Sequence, residues 1–312
     1  MNNSLDISVG IIFFNRPEPL KKTYEIVRQS RPARLFLIQD GERSNHPTDR
    51  DNIIKCREVF SNIDWDCEVH TNYSDTNLGC GKRPYTGITW MFSLTDKAVI
   101  LEDDCVIGDN FLLFCKEMLD RYENDLRIGI ISAWNHFGYY DFGGYSYGFT
   151  KSVGCGAWAT WKNRWSKYDM NIDGLNEYTE KCLLRDITPL YAAKKKLARW
   201  KKARIELKTN DKISYWDHQW GFVRNINSWL TIVPKYNQMC NIGISDDATH
   251  SSSSKLPVRI RRLFYMETPL LESPFRHPPF VIADREYDEK YYKLIYPSKF
   301  RILISKLSGF FK

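Results

Sequence analysis

Three consecutive acids, Glu102, Asp103 and Asp104, directly follow the apolar run 98–101. An uninterrupted aliphatic run suits a strand covered on both faces, which places the acids at the carboxyl end of that strand. Neighbouring carboxylates are ionised and repel one another at neutral pH, so they favour a divalent cation, basic side chains or hydroxyl-rich ligands. The alternative is a solvated turn, where acids are common. The triplet is therefore a candidate ligand site.

Asp217 is the second candidate, because it stands between two large aromatic residues, Trp216 and Trp220. We expect these tryptophans to desolvate the carboxylate partly, which would make it a stronger general base. The alternative is a helix cap or a salt-bridge partner. His250 is a candidate metal ligand through its imidazole, with an ordinary loop residue as the alternative.

Two earlier runs also end in polar residues. Arg16 follows the run 7–14 and could approach a phosphate, while Asp40 follows the run 35–38 and could accept a hydrogen bond from a nucleobase. Lys82 and Arg83 lie in a glycine-punctuated loop at 77–83 and are further candidates for binding a nucleotide.

Strand-like and helix-like segments alternate up to residue 134. The strands are predicted at 7–14, 35–38, 67–70, 98–101 and 128–132, and the helices at 17–29, 49–61, 84–94 and 110–122. Such alternation predicts an α/β fold with a doubly wound, mainly parallel sheet flanked by helices. Ligands of open α/β sheets gather at the carboxyl ends of the strands, where the acidic triplet would lie.

The alternation weakens beyond residue 134. A helix carrying Trp161 and Trp165 is predicted, and its aromatic side chains suit either a packed core or stacking on sugar rings. The helical stretch 190–208 carries eight basic residues, including Lys194, Lys195, Lys196, Lys201 and Lys202. Such a run is a solvated face, or it serves an anionic acceptor or membrane surface.

The tail at 299–312 combines apolar and basic residues, which suits a basic amphipathic helix on an anionic membrane. Docking of that helix on its own domain or on a second subunit is the alternative. The serine tract 251–254 is predicted to be a flexible boundary.

Composition describes a globular protein. The 312 residues are 43% hydrophobic and 27% charged, with a net charge of +7 that weakly favours anionic partners. No nucleic-acid-binding motif is present, so we expect no nucleic-acid partner. The eight cysteines are scattered without a Cys-x-x-Cys pair, which argues against a zinc site. Without a signal-like start or a membrane-spanning run, we expect a cytoplasmic protein, with peripheral association at the inner face of the plasma membrane through its tail.

Several enzyme classes are excluded by their motifs. The chain contains neither the dinucleotide-binding fingerprint nor the phosphate loop of NTPases, and it has no Gly-x-Ser-x-Gly elbow. A metal-bound nucleotide sugar suits the remaining pattern, because a divalent ion at Asp104 would neutralise the charge of a departing nucleoside diphosphate.

Six segments in the same order resemble one enzyme family. They are residues 11–16, 39–40, 98–104, 131–135, 154–158 and 216–217. Together they resemble the inverting GT-A glycosyltransferases related to N-acetylglucosaminyltransferase I. Residues 216–220 and 241–250 are similar to bacterial relatives of that group, often labelled hemolysin-like proteins. The resemblance covers residues 7–252.

The resemblance implies roles for the strand-end residues. Asp104 would ligate Mn²⁺ or Mg²⁺, Glu102 and Asp103 would contact the donor sugar and ribose, Asp40 would bind uracil, and Arg16 the phosphate side.

Asp217 matches the catalytic base of the family. The eukaryotic relatives have two adjacent acids before the second tryptophan, whereas His218 and Gln219 follow a single acid here. This one-residue difference bears directly on the base assignment.

The sequence thus predicts a metal-dependent inverting glycosyltransferase that transfers GlcNAc or a similar hexose from a UDP-sugar to a glycan or lipid-linked glycan in bacterial surface-polysaccharide assembly. The alternatives are a nucleotidyltransferase of similar fold and a non-catalytic glycan-binding or membrane-active protein. The predicted organisation is a GT-A domain at 1–255, with a nucleotide-sugar half at 1–134 and an acceptor half at 135–255, followed by a C-terminal extension at 256–312.

Overall fold

The computed structural model describes residues 4–209, 213–243 and 262–297. His250, the serine tract, the boundary at residue 255 and the tail at 299–312 lie outside these ranges. The strands are β1 (Leu5–Phe13), β2 (Pro32–Gln39), β3 (Glu68–Tyr73), β4 (Lys97–Glu102), β5 (Cys105–Ile107), β6 (Ile128–Ser132), β7 (Tyr147–Thr150), β8 (Trp158–Trp161), β9 (Leu230–Pro234) and β10 (Met239–Asn241). The helices are α1 (Pro17–Ser30), α2 (Thr48–Glu58), α3 (Gly79–Leu94), α4 (Phe111–Arg121), α5 (Lys162–Trp165), α6 (Glu177–Asp186), α7 (Leu190–Thr209), α8 (Asp217–Ile226) and α9 (Arg285–Ile295).

Eight strands form one sheet in the order β3-β2-β1-β4-β8-β6-β9-β7. The predicted α/β class is confirmed, because helices cover both faces of this sheet. Consecutive residues of β4 lie on opposite faces of the sheet. Val99 and Leu101 belong to one hydrophobic core, and Ala98 and Ile100 belong to the other. Both cores are fully buried along this strand, which accounts for its unbroken apolar run.

The first four strands are parallel, as predicted. In the register of β1, Ile12 is opposite Ile38 of β2 on one side and Glu102 of β4 on the other. The strands therefore end level with one another. Arg16, Asp40 and the acidic triplet meet at one edge of the sheet because of this register.

The second half of the sheet is mixed. Strand β8 runs antiparallel to both β4 and β6, and β7 runs antiparallel to β9, while β6 and β9 are parallel. The predicted helix carrying Trp161 is wrong at its start, since Trp161 ends β8 and the helix begins at Lys162. Trp158 and Trp161 are buried on opposite faces of the sheet. β8 and α5 have four residues each, which is too short for the two-residue period of a strand or the 3.6-residue period of a helix to be recognised in the sequence.

Residues 262–297 pack against the same sheet. Ala283 forms a parallel bridge with Phe149 of β7, and Tyr287 of α9 is fully buried against Phe142 and Val233. Within the described ranges, none of the helices combines the length and apolarity needed to cross a membrane.

Candidate active site

The acidic triplet lies at the junction of β4 and β5, beneath β10. Asp103 and Asp104 are 4% and 8% exposed, so the solvated-turn alternative does not describe them. Strand β10 runs antiparallel to β5, which brings Asn241 opposite Cys105. The side-chain amide of Asn241 then donates to Asp104 Oδ1 at 3.0 Å. Asp104 is thus held from both strands of this small second sheet.

Arg16 is the counter-ion of the triplet. Its Nη2 donates to Asp104 Oδ2 at 2.9 Å and also to Asp103 Oδ1, while its Nε donates to Asp103 Oδ2 at 3.3 Å. Burial alone would lower the pKa of Arg16, but the two aspartates raise it above its ordinary value. Arg16 is therefore occupied by carboxylates of its own chain, and its contact with a phosphate stays a prediction.

One arginine does not neutralise three acids. Burial, followed by the charges of Asp104, Asp103 and Asp217, raises the pKa of Glu102 to about 8. Burial raises the pKa of Asp103 to about 6, although Arg16 opposes the shift. The triplet thus retains an excess of buried negative charge, which a bound cation would relieve.

The donor set fits a hard divalent cation in its chemistry, since Mg²⁺ and Mn²⁺ prefer carboxylate oxygens. A Cβ on Gly243 would lie 1.9 Å from Asp104 Oδ2, so glycine lets the backbone pass close to this carboxylate. No group of three or more His, Cys, Asp or Glu side chains is arranged as a metal site in the ranges described above. Metal binding by Asp104 remains a prediction, as does that by His250, which lies outside the described residues.

Asp40 holds the start of α3. Its Oδ1 accepts from the backbone N–H groups of Leu78 and Gly41 at 2.8 and 3.0 Å, and its Oδ2 from Gly79 N at 2.8 Å and Asn77 Nδ2 at 3.2 Å. Burial raises the pKa of Asp40, and these backbone hydrogen bonds oppose the shift. Four donors use the acceptor capacity of a carboxylate. A uracil contact by Asp40 therefore requires one of these donors to be displaced, and it stays a prediction.

The predicted loop at 77–83 is wrong over most of its length, because α3 begins at Gly79. The physical reason is the cap supplied by Asp40, 39 residues earlier in the chain. Arg83 is buried within this helix, where its Nε donates to Gln39 O at 3.0 Å and its Nη2 to Asn72 Oδ1 at 2.7 Å. It joins the ends of β2 and β3, whereas Lys82 is exposed. Nucleotide binding by either side chain stays a prediction.

Asp217 is the first residue of α8 and is exposed. The predicted desolvation by the flanking tryptophans is wrong. Trp216 and Trp220, four residues apart, lie on the buried face of the chain and pack against Trp158 at centroid distances of 5.6 and 5.7 Å. Asp217 is turned away from them by the helical period.

Asp217 nevertheless lies near the acidic triplet, because Trp216 packs on Trp158, which is opposite Ile100 of β4. The charge of Asp217 contributes to the raised pKa of Glu102, which requires the two carboxylates to lie within electrostatic range. Burial raises the pKa of the Cys80 and Cys155 thiols, and the charges of Glu102 and Asp217 raise it further, so both thiols are also within electrostatic range of the two carboxylates. The fold thus unites residues that are 115 positions apart in the sequence.

A cavity of about 270 Å³ opens beside Asp217, between α7, α8 and α9. Its walls combine basic and aromatic side chains, among them Lys196, Arg199, Arg224, Trp134 and Tyr291. The sequence indicates the basic stretch that contains Lys196, but it does not connect this stretch with Asp217. The connection depends on the packing of α7 against α8, where Lys196 Nζ donates to Asn225 Oδ1 at 3.2 Å, and the local sequence contains no signal for this tertiary contact.

Three residues of the site are not predicted by name from the sequence: Asn241, His136 and Arg224. Asn241 and His136 belong to or adjoin segments of the family resemblance, and that proximity was the available signal. Arg224 stands within an otherwise apolar face of α8, where a buried charge is unusual. It donates to Val153 O and to Thr231 Oγ1, both at 2.5 Å.

No protein-family model matches the chain, and no curated protein matches its sequence. Solved structures of related shape include a 4-diphosphocytidyl-2C-methyl-D-erythritol synthase from Anaerococcus prevotii, with 10% identity, a TM-score of 0.38, and coverage of 80% of this chain and 98% of that one. A UTP-bound UGPase from Acinetobacter baumannii has 6% identity and a TM-score of 0.35, with coverage of 75% and 88%. A UDP-glucose pyrophosphorylase complexed with UDP-glucose has 8% identity and a TM-score of 0.36, with coverage of 74% and 91%.

Proposed function

We propose that the chain is a transferase that uses a nucleotide sugar, and within this class an inverting glycosyltransferase that uses a UDP-sugar and a divalent metal. The observation that carries this proposal is that the start of α8 packs beside the end of β4, where Asp217 lies within electrostatic range of Glu102. An inverting transfer needs negative charge at the departing diphosphate to be balanced on one side of the sugar and a base on the other. A divalent ion held at the acidic edge of the sheet would supply the first of these functions, and the carboxylate at the start of α8 the second.

Asp217 is proposed to accept the proton of the acceptor hydroxyl as that oxygen attacks the anomeric carbon. Its exposed position at the cavity leaves the carboxylate accessible to an acceptor. On the donor side, Glu102 and Asp103 are proposed to contact the sugar and ribose hydroxyls. Asp104 would hold Mn²⁺ or Mg²⁺, and the ion would supply Lewis-acid stabilisation of the diphosphate.

Nucleotidyl transfer is the second candidate, because the solved structures named above are of that kind. It too would place carboxylates and a metal at the strand ends. The residues at 13–17, Phe-Phe-Asn-Arg-Pro, lack the glycines of a phosphate-binding loop after the first strand. In addition, nucleotidyl transfer gives no evident part to Asp217. A non-catalytic glycan-binding protein would bind no nucleotide at all.

The two candidate reactions break different bonds of the UDP-sugar. Glycosyl transfer or donor hydrolysis cleaves the C1–O bond of a UDP-sugar and releases UDP, whereas nucleotidyl transfer to pyrophosphate cleaves the bond between the two phosphates and yields UTP and a sugar 1-phosphate. The protein is incubated with UDP-GlcNAc or UDP-glucose and Mn²⁺, with and without pyrophosphate, and the nucleotides are separated by chromatography. We expect UDP in both incubations. UTP formation that depends on pyrophosphate would establish the second candidate instead, and unchanged donor with no nucleotide binding would favour the non-catalytic alternative.

The proposed acceptor is a glycan or a lipid-linked glycan of a bacterial cell surface. The proposed peripheral membrane contact rests on the tail at 299–312, outside the described residues.

A further inference from the structure

The cavity beside Asp217 is positively charged. Among the described residues that line it, Lys151, Lys196, Arg199 and Arg224 are basic, and Asp217 is the single acid. Lys151 is neutralised by Asp186, whose Oδ1 lies 2.6 Å from its Nζ. Lys196, Arg199 and Arg224 therefore give the cavity its excess of positive charge.

Lys196 is half-buried in the wall of the cavity, so its charge is not simply solvated. Its Nζ donates to Asn225 Oδ1 at 3.2 Å and lies 5.1 Å from the centre of the Tyr292 ring. Burial, together with the neighbouring Arg224 and Arg199, lowers the pKa of Lys196 to about 7, although Asp288 and Asp186 act in the opposite direction. An ammonium group in these surroundings lacks a full counter-charge, which an anionic ligand would provide.

The same walls carry groups suited to a sugar ring. Trp134, Trp200 and Tyr291 line the cavity with aromatic surface. His136 is only 6% exposed, yet its Nδ1 has no hydrogen-bond partner among the described residues. Burial lowers the pKa of His136 to about 3, so its imidazole is neutral and can exchange a hydrogen bond with a hydroxyl group. An unpartnered buried nitrogen at the wall of a cavity indicates a missing polar ligand.

We propose that this cavity binds a sugar residue carrying a phosphate or carboxylate group, and that this anionic residue is part of the acceptor. The acceptor role rests on the proposed function, because it relies on Asp217, which lines the cavity, as the base. Lys196 and Arg199 are assigned to the anionic group, and the aromatic wall with His136 to the ring. A neutral sugar would leave the cations without a counter-charge, and a flat membrane surface could not enter a cavity of about 270 Å³.

Isothermal titration calorimetry tests the proposal with four probes: glucose 6-phosphate, glucuronate, glucose and inorganic phosphate. UDP and Mn²⁺ are present in each titration, so that a donor site at the sheet edge is filled. We expect at least one of the two charged sugars to bind at least tenfold more tightly than both glucose and inorganic phosphate. The stronger of the two then identifies the phosphate or the carboxylate as the group recognised.

Three variants locate the binding. Arg199→Gln and Lys196→Gln each remove a cation from the cavity, and each should weaken the charged sugar at least tenfold. Lys194→Gln is the matched control, since Lys194 is an exposed residue of the same helix that does not line the cavity. It should bind like the wild type. Far-ultraviolet circular dichroism and melting temperature confirm that each variant is folded.

Equal binding of glucose and both charged sugars would overturn the proposal, as would binding that Arg199→Gln and Lys196→Gln leave unchanged. If inorganic phosphate bound as tightly as glucose 6-phosphate, the cavity would not recognise the sugar ring, and that part of the proposal would be wrong. A separate titration with UDP and Mn²⁺ reports on the proposed function. If UDP binds but the charged sugars are not preferred, this inference alone fails; if the charged sugars bind as expected but UDP does not, the proposed function fails and the acceptor role with it.

Discussion

Asp217 and Glu102 carry the same functional group in opposite surroundings. Asp217 is exposed at the start of α8, whereas Glu102 is partly buried among two other acids. A base must be accessible to the proton that it removes, and a group that contacts the donor can be enclosed. The surroundings therefore suit the separate roles that we propose for the two carboxylates.

Asp217→Asn should lower the rate of glycosyl transfer by roughly 100-fold or more, because the amide cannot accept the proton of the acceptor hydroxyl. Binding of UDP with Mn²⁺ should be unchanged. The rate is measured as UDP released in the presence of acceptor. Asp173→Asn, at an exposed acid away from the cavity, is the control and should retain full activity. Transfer at the wild-type rate in Asp217→Asn would remove Asp217 from the reaction.

Glu102→Gln should stabilise the metal-free protein at alkaline pH. The folded-state pKa of Glu102, about 8, exceeds its ordinary value of 4.5, so the folded protein holds a proton that the unfolded chain has released. The stability that this proton provides is complete below pH 4.5 and is lost as the pH rises to 8. We expect the variant to exceed the wild type by up to about 5 kcal/mol in free energy of unfolding at pH 8.5, and to match it near pH 4.5.

Urea titrations in the presence of a chelator measure this difference. Asp96→Asn, at an exposed acid before β4, serves as the control. An identical fall in stability with pH in the wild type and in Glu102→Gln would contradict the raised pKa of Glu102.

At the scale of elements, the start of α3 depends on β2. Asp40 lies just beyond the end of β2 and accepts hydrogen bonds from the backbone N–H groups of Leu78 and Gly79. These groups stand at the start of the helix, where no earlier turn offers them a carbonyl acceptor. The glycines at 79 and 81 made this segment resemble a loop. Position 81 within the helix requires glycine because the backbone of Ile213 passes over it: a Cβ there would be 2.3 Å from Ile213 O. Local sequence patterns contain neither the distant cap nor the passing chain.

Asp40→Ala should cost about 2–4 kcal/mol in free energy of unfolding, because it leaves several buried donors without an acceptor. Asp40→Asn should cost less, since its amide oxygen still accepts. Chemical denaturation of both variants is compared with that of Asp75→Ala, at an exposed acid in the same region. If Asp40→Ala lost UDP binding with its stability intact, Asp40 would be a nucleotide contact rather than a cap.

At the scale of the whole molecule, the C-terminal residues complete the structure. Tyr287 of α9 is fully buried, and its hydroxyl donates to Asn135 Oδ1 at 3.3 Å. This contact joins α9 to the segment that follows β6. The predicted organisation separates the two, with Asn135 in the acceptor half at 135–255 and α9 in the extension at 256–312. Residues of α9 also line the cavity beside Asp217.

Tyr287→Ala should destabilise the whole domain by about 3–5 kcal/mol, because it removes a large buried aromatic side chain. Differential scanning calorimetry should show one transition moved to lower temperature. Tyr178→Ala, at a tyrosine that is 75% exposed, is the control and should change stability by about 0.5 kcal/mol or less. An unchanged main transition in Tyr287→Ala would show that the C-terminal residues form a separable extension.

The parallel first half of the sheet could be predicted because each strand has a strong local signal and parallel strands end at the same edge. This reasoning brought Arg16, Asp40 and the acids together correctly. It failed where partners come from distant parts of the chain. The arginine predicted to approach phosphate is paired with Asp103 and Asp104, and the tryptophans predicted to cover Asp217 pack into the core instead. Residue type and spacing do not contain these contacts, which the tertiary packing sets.

The central claim is that the acidic edge of the sheet binds a nucleotide through a divalent metal. Titration of UDP into the protein with Mn²⁺, with a chelator, and with the Asp104→Ala variant tests it most directly. We expect binding of wild type with Mn²⁺, and binding weakened at least tenfold by the chelator or by the variant, which must first be shown to be folded. No UDP binding by the wild type, or equal binding under all three conditions, would contradict the claim.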